Sequence, residues 1–152
     1  MNIKNYTSGV PSDRSVNLIE HRLIGAGATH IAKIYDGEPK RLKGITFQIP
    51  LNGVPLLFKL PAKTESVFKV LWAEVRRPQP NTKKNIEDQA ERTAWKILAD
   101  WVDIQISMIK LDQAEFIEVF LPYSYDPRKD QTLFEKFKEN NFKQLTVGSS
   151  EK

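Results

Sequence analysis

Residues 85–111, NIEDQAERTAWKILADWVDIQISMIKL, restrict what this chain can fold into more than any other stretch. Apolar side chains recur at Ile86, Ala90, Ala94, Ile97, Trp101, Ile104, Met108 and Leu111. Steps of three or four residues line one face of an α-helix. Neither Gly nor Pro interrupts the run, and at 1.5 Å per residue it spans about 40 Å, more than one side of a small core requires. A second apolar line, Trp95, Leu98, Val102, Ile106 and Ile109, makes the C-terminal half apolar around most of its circumference. Such a helix is buried centrally or meets another chain. Trp101, Ile104, Met108 and Leu111 are therefore expected either in the centre of the core or as a self-complementary seam of a homodimer.

The rest of the chain supplies what this helix packs against. Residues 1–11 read as an irregular arm, with Val10 held extended by Pro11. Ser12, Asp13 and Ser15 are candidate N-caps for a helix running to about Ile24, where Gly25 or Gly27 ends it in the left-handed conformation. Strands follow at 29–35, 42–49 and 54–60. Ile45, Phe47 and Ile49 alternate with Thr46 and Gln48, the pattern of a half-buried strand. Asn52-Gly53 is a strong hairpin signal, and Pro55 marks a sheet edge or a strand start. An apolar sheet face must be covered, and residues 65–75, capped by Thr64, form the next helix. Two prolines at 78 and 80 then force an extended connection. Beyond the long helix, residues 112–121 read as helix, with a strand as the alternative. Pro122 ends them, 123–130 is a loop, and 132–138 is a last short helix. The expectation is an α+β fold: a three-stranded antiparallel meander preceded by one helix and followed by a helix, a long central helix and short C-terminal helices. Residues 12–147 form one domain, and 148–152 a frayed tail.

Composition removes several function classes. A chain of 152 residues is long enough to bury a sizeable core. It has no Cys, which excludes disulfides, thiol catalysis and thiolate metal sites. Its polar N-terminus lacks the apolar run of a signal peptide, and no stretch approaches the roughly 18 apolar residues of a membrane span. A cytoplasmic protein without membrane contact is expected. The net charge of +4 is unevenly placed: residues 38–84 carry 10 Lys/Arg against 3 Asp/Glu, and residues 85–152 carry 9 against 13. Such asymmetry marks a surface for phosphates or an acidic partner, or two halves that attract each other.

Few constellations carry chemistry. His21 and His30 have no partner at metal-ligand spacing, so neither a metal site nor a cofactor is expected. Glu87, Asp88 and Glu91 suit the positive end of the long helix. Asp100 and Asp103 flank Trp101 and could share a face, but such pairs are usually solvated. Gly25-Ala26-Gly27 follows a helix rather than a strand, the wrong order for a phosphate cradle. No catalytic residue set emerges. The basic group remains: Lys40, Arg41 and Lys43 before the second strand, Lys59 and Lys63 at the hairpin's close, and Arg76, Arg77, Lys83 and Lys84 around the proline connection. Cations beside aromatics are what single-stranded nucleic-acid binders use. Trp72 and Trp95 lie near the connection, but both fit apolar helix stripes and are read as core.

Taken whole, the chain resembles a family of small uncharacterised proteins encoded by phages, prophages and other mobile elements. The resemblance rests on Tyr6-Thr7-Ser8-Gly9-Val10-Pro11, Ile19 followed by Gly27-Ala28-Thr29, Phe47 with Pro50, Ala94-Trp95-Lys96, and Phe116 with Phe120-Leu121-Pro122. It brings no activity and no catalytic residues. It implies a setting in the host cytoplasm and two kinds of role, a DNA replication or recombination accessory and counter-defence. The expected function is thus a non-enzymatic nucleic-acid-binding accessory protein, with single-stranded DNA as the leading partner. The alternative is a counter-defence or interaction protein that binds a host protein or sequesters a nucleotide.

Overall fold

A computed structural model describes residues 3–148, and the long apolar stretch forms a single helix in it. The order is α1 (Ser12–Gly25), β1 (His30–Asp36), β2 (Arg41–Leu51), β3 (Val54–Pro61), α2 (Thr64–Ala73), α3 (Thr82–Lys110), α4 (Phe116–Phe120), β4 (Tyr125–Asp126), β5 (Gln131–Thr132) and α5 (Leu133–Glu139). Short 3₁₀ turns stand at Leu121–Tyr123 and Lys143–Leu145. This is the expected α+β fold, a β1-β2-β3 antiparallel meander flanked by helices with α3 as the central one. No helix among the described residues is long and apolar enough to cross a membrane. The tail expected at 148–152 falls, beyond Gly148, outside the described residues.

The sheet follows from its alternation. Leu51 pairs with Val54 across Asn52-Gly53, and both turn residues have positive φ, 52° and 79°, as a twist-matched two-residue hairpin requires. Ile45, Phe47 and Ile49 of β2 and Phe58 and Leu60 of β3 are buried on one face. Register puts His30, Ala32, Ile34, Thr46, Gln48, Leu57 and Lys59 on the other. A bulge between Ile34 and Tyr35 shifts the β1–β2 register.

Helices cover the buried face. α1 contributes Val16, Ile19 and Leu23, and α3 contributes Trp95, Ala99, Val102 and Ile106. The line of α3 that fills the core is thus mainly the Trp95–Ile106 one; Ile104 and Leu111 are 56% and 68% exposed. Trp95 is fully buried and its Nε1 donates to the Leu42 carbonyl at 3.2 Å. α4 sets Phe116 and Phe120 against Phe47 and Phe58, with centroid separations of 5.5 Å for Phe58–Phe116 and 6.0 Å for Phe47–Phe120.

The local ends differ in part from expectation. α1 begins after Pro11 with no side-chain cap, so Ser12, Asp13 and Ser15 do not cap it; Pro11 itself brings a φ suited to a helix start. Thr64 is the first residue of α2 rather than its cap, and its hydroxyl accepts from Lys43 Nζ at 2.9 Å. Within 112–121 the α-helix covers only Phe116–Phe120, with Leu121 opening the 3₁₀ turn, and the 123–130 loop contains the two-residue strand β4, which pairs with β5 just beyond it. The N-terminal arm lies along α3. Thr93 Oγ1 donates to the Asn5 carbonyl (2.9 Å), Asn5 Nδ2 to Asp100 (2.9 Å), and Gln89 Nε2 to the Ser8 carbonyl (3.1 Å).

Candidate functional site

The fold separates the nine basic positions into groups with different electrostatic fates. Arg41 is 17% exposed and bridges Asp88 and Glu91, both at 2.9 Å, and Glu87 at 3.4 Å on α3. Lys43 pairs with Glu65 and holds its carboxyl below the usual range. Lys59 reaches Asp130 at 3.4 Å and lies over the Tyr125 ring, 5.2 Å from its centroid. The Tyr125 hydroxyl donates to the same Asp130 oxygen at 2.5 Å, which pushes the phenol up to about 12 and draws the Asp130 carboxyl down. These three cations are half-buried and already neutralised. They bind the fold together and add little to an outward positive field. The open sheet face consequently carries Lys59 as its one register-assigned Lys or Arg among the described residues, and that charge is paired.

Five others gather differently. Arg76 and Arg77 leave the end of α2, Lys83 and Lys84 start α3, and Lys40 precedes the Arg41 that reaches Glu87. All five are exposed. Among the described residues none lies within ion-pair distance of a carboxylate. α2 and α3 pack as a helical hairpin, so the 74–81 connection is its tip. Gln79 N–H donates to Thr82 Oγ1 at 2.8 Å and fixes the chain as it enters α3. The first turn of α3 has no acidic residue, so its unpaired backbone N–H groups add to the positive potential.

Beside this tip stands an aromatic pair. Phe68 and Trp72 stack one helical turn apart on α2, with centroids 5.6 Å apart and planes 16° apart. Both are half-buried and neither belongs to the core. Trp72 therefore departs from the core reading, whereas Trp95 fulfils it. Phe68 was not singled out by sequence reasoning, although its i, i+4 spacing to Trp72 ahead of Arg76-Arg77 is a visible signal.

Lys63 lies elsewhere, at the opposite end of α2. There it rims a groove of about 1210 Å³ between β3, α2, α3 and α5. Trp101 lines this groove and packs against Phe120 and Tyr123, each at 5.6 Å. The seam expected from Trp101, Ile104, Met108 and Leu111 is thus split: Trp101 and Met108 are half-buried, while Ile104 and Leu111 face outward.

The remaining titratable residues are engaged or dispersed. Asp100 is bound by Lys96 at 2.8 Å and by Asn5, and these contacts outweigh its burial and draw its carboxyl low. Asp103 instead pairs with Arg22 at 2.7 Å. The two carboxylates face different partners and do not converge. His21 and His30 are both exposed, and no group of His, Asp or Glu among the described residues is placed to hold a metal ion. No family model matches the chain, and no curated protein or solved structure is significantly similar to it.

Proposed function

We propose that this chain is a non-enzymatic accessory protein that binds single-stranded nucleic acid through the tip of the α2–α3 hairpin. The observation that carries this reading is a coincidence of chemistries. Five exposed, unpaired cations, Lys40, Arg76, Arg77, Lys83 and Lys84, share one end of the molecule with the Phe68–Trp72 stack. Cations track a phosphate backbone, and a half-exposed ring offers a base a stacking surface of any sequence. The footprint is smaller than the nine basic positions, because Arg41, Lys43 and Lys59 are spent within the fold and Lys63 stands apart. In the phage or mobile-element setting implied by the resemblance, the role is replication or recombination accessory work in the host cytoplasm.

The test is fluorescence anisotropy of a labelled single strand across a salt series. With four or five phosphates neutralised, the slope of log K against log salt is about −3. Each of Arg76→Gln, Arg77→Gln, Lys83→Gln and Lys84→Gln lowers its magnitude by about 0.7. Trp72→Ala weakens binding by about 1–3 kcal/mol and leaves the slope unchanged. Absence of binding at low salt, where the electrostatic term is largest, overturns the proposal. The small size of the tip favours one second reading, capture of a nucleotide; a mononucleotide that competes as well as the strand would select it.

A further inference from the structure

Lys83 and Lys84 lie in the first turn of α3, and Glu87 and Asp88 follow them at a spacing of four residues. Side chains four apart on a helix are neighbours, so each lysine has a carboxylate within reach on its own helix. α3 closes such a pair further along: Lys96 meets Asp100, in the same order and at the same spacing, at 2.8 Å. The two equivalent pairs at the tip stay open. Among the described residues neither Lys83 nor Lys84 lies within ion-pair distance of a carboxylate.

Arg41 makes the difference. Reaching across from the start of β2, its guanidinium lies 2.9 Å from Asp88 and 3.4 Å from Glu87 through one nitrogen, and 2.9 Å from Glu91 through another. The other arginine near Asp88, Arg92, is turned away. It donates to the Ser8 carbonyl at 3.4 Å and to Gln89 Oε1 at 2.6 Å. A planar guanidinium serves several oxygens at once, which an ammonium does not match. The Arg41 side chain is only 17% exposed, so its contacts are screened less than a pair between exposed side chains would be. Three carboxylates share one guanidinium, and their charge is not abolished. What Arg41 fixes is the direction of the oxygens, toward β2 rather than toward the lysines.

We propose that Arg41 is a positioning residue of the cationic tip: by holding Glu87 and Asp88 it keeps Lys83 and Lys84 free to meet phosphate. Arg41 does not itself touch the strand. This role rests on the tip's being a strand-binding site, and it deepens that reading by making two of the five cations depend on a residue outside the tip.

The test is the same anisotropy salt series on Arg41→Gln, with circular dichroism to confirm the fold. Glu87 and Asp88 then turn to Lys83 and Lys84, and two phosphate contacts are lost. The slope falls from about −3 to about −1.6, and affinity at 0.1 M salt falls by about 25-fold. Arg41→Lys, which keeps the charge but grips fewer oxygens, gives an intermediate slope. Adding Glu87→Gln and Asp88→Asn to Arg41→Gln removes the competing carboxylates and returns the slope to about −3. Adding Glu91→Gln and Asp13→Asn instead removes as many charges from the adjoining cleft, but from positions no tip lysine can reach along its helix, and leaves the slope low. A slope unchanged in Arg41→Gln, a slope that Glu87→Gln with Asp88→Asn does not restore, or equal recovery by the Glu91 and Asp13 substitutions would each overturn this role while the parent chain still binds. A parent chain that does not bind at low salt overturns the reading of the tip, and this role with it.

Discussion

Trp95 and Trp72 show how one residue type is put to two uses. Trp95 is enclosed by the sheet and α1, and its indole N–H satisfies the Leu42 carbonyl beside the β1–β2 bulge. Buried carbonyls that lose their donor destabilise a fold, and a smaller ring leaves a void. Trp95→Phe is therefore expected to cost about 2–4 kcal/mol in urea unfolding. Trp72 has one stacking neighbour and stands outside the core, so Trp72→Phe changes stability by no more than about 1 kcal/mol. Both residues satisfy the same helical spacing in the sequence. Periodicity reports that a position is on a stripe; whether another element arrives to cover that stripe is decided by tertiary contacts.

At the scale of elements, α1 and α3 end by the same device with different residues. After α1 the N–H of Ala28 reaches the Leu23 carbonyl at 2.9 Å around Gly27, φ 110°. After α3 the N–H of Gln113 reaches the Met108 carbonyl at 2.9 Å around Asp112, φ 56°. Glycine adopts that conformation without a Cβ penalty, and a carboxylate is unfavourable at the negative end of a helix. Asp112→Gly is expected to raise stability by about 0.5–1 kcal/mol, seen as a higher urea midpoint with an unchanged m value. The helices, the meander and the Asn52-Gly53 turn follow from local pattern, because spacing and turn chemistry act within a few residues. The α3 boundary at Thr82, four residues before the apolar repeat begins at Ile86, does not follow, because Lys83 and Lys84 carry no apolar signal. β4 and β5 are two residues each and arise from tertiary placement beside β3, where Ser124 bridges Phe58. The cationic tip was half visible: Arg76, Arg77, Lys83 and Lys84 lie close in sequence, but Lys40 joins them only through the fold, and the neutralisation of Arg41, Lys43 and Lys59 involves partners up to 71 positions away.

Over the whole molecule, α3 joins parts of opposite charge. The basic middle of the chain meets the acidic second and third turns of α3 through Arg41, whose guanidinium serves Glu87, Asp88 and Glu91 together. Arg41→Gln leaves those carboxylates facing one another and is expected to cost about 1–3 kcal/mol near neutrality, less than a fully buried pair because solvent reaches the carboxylates. The free side of β1 has a consequence of another kind. An edge strand exposes backbone groups that can recruit a strand from another molecule. β1 carries a bulge after Ile34, and Lys33 sits at the register of the buried Ile45, turned inward to Glu20 of α1 at 3.5 Å. A charge aimed into the layer beneath an edge, next to a kink in that edge, resists continuation of the sheet. Self-association through stacked strands is thereby discouraged, and the meander stays three strands wide.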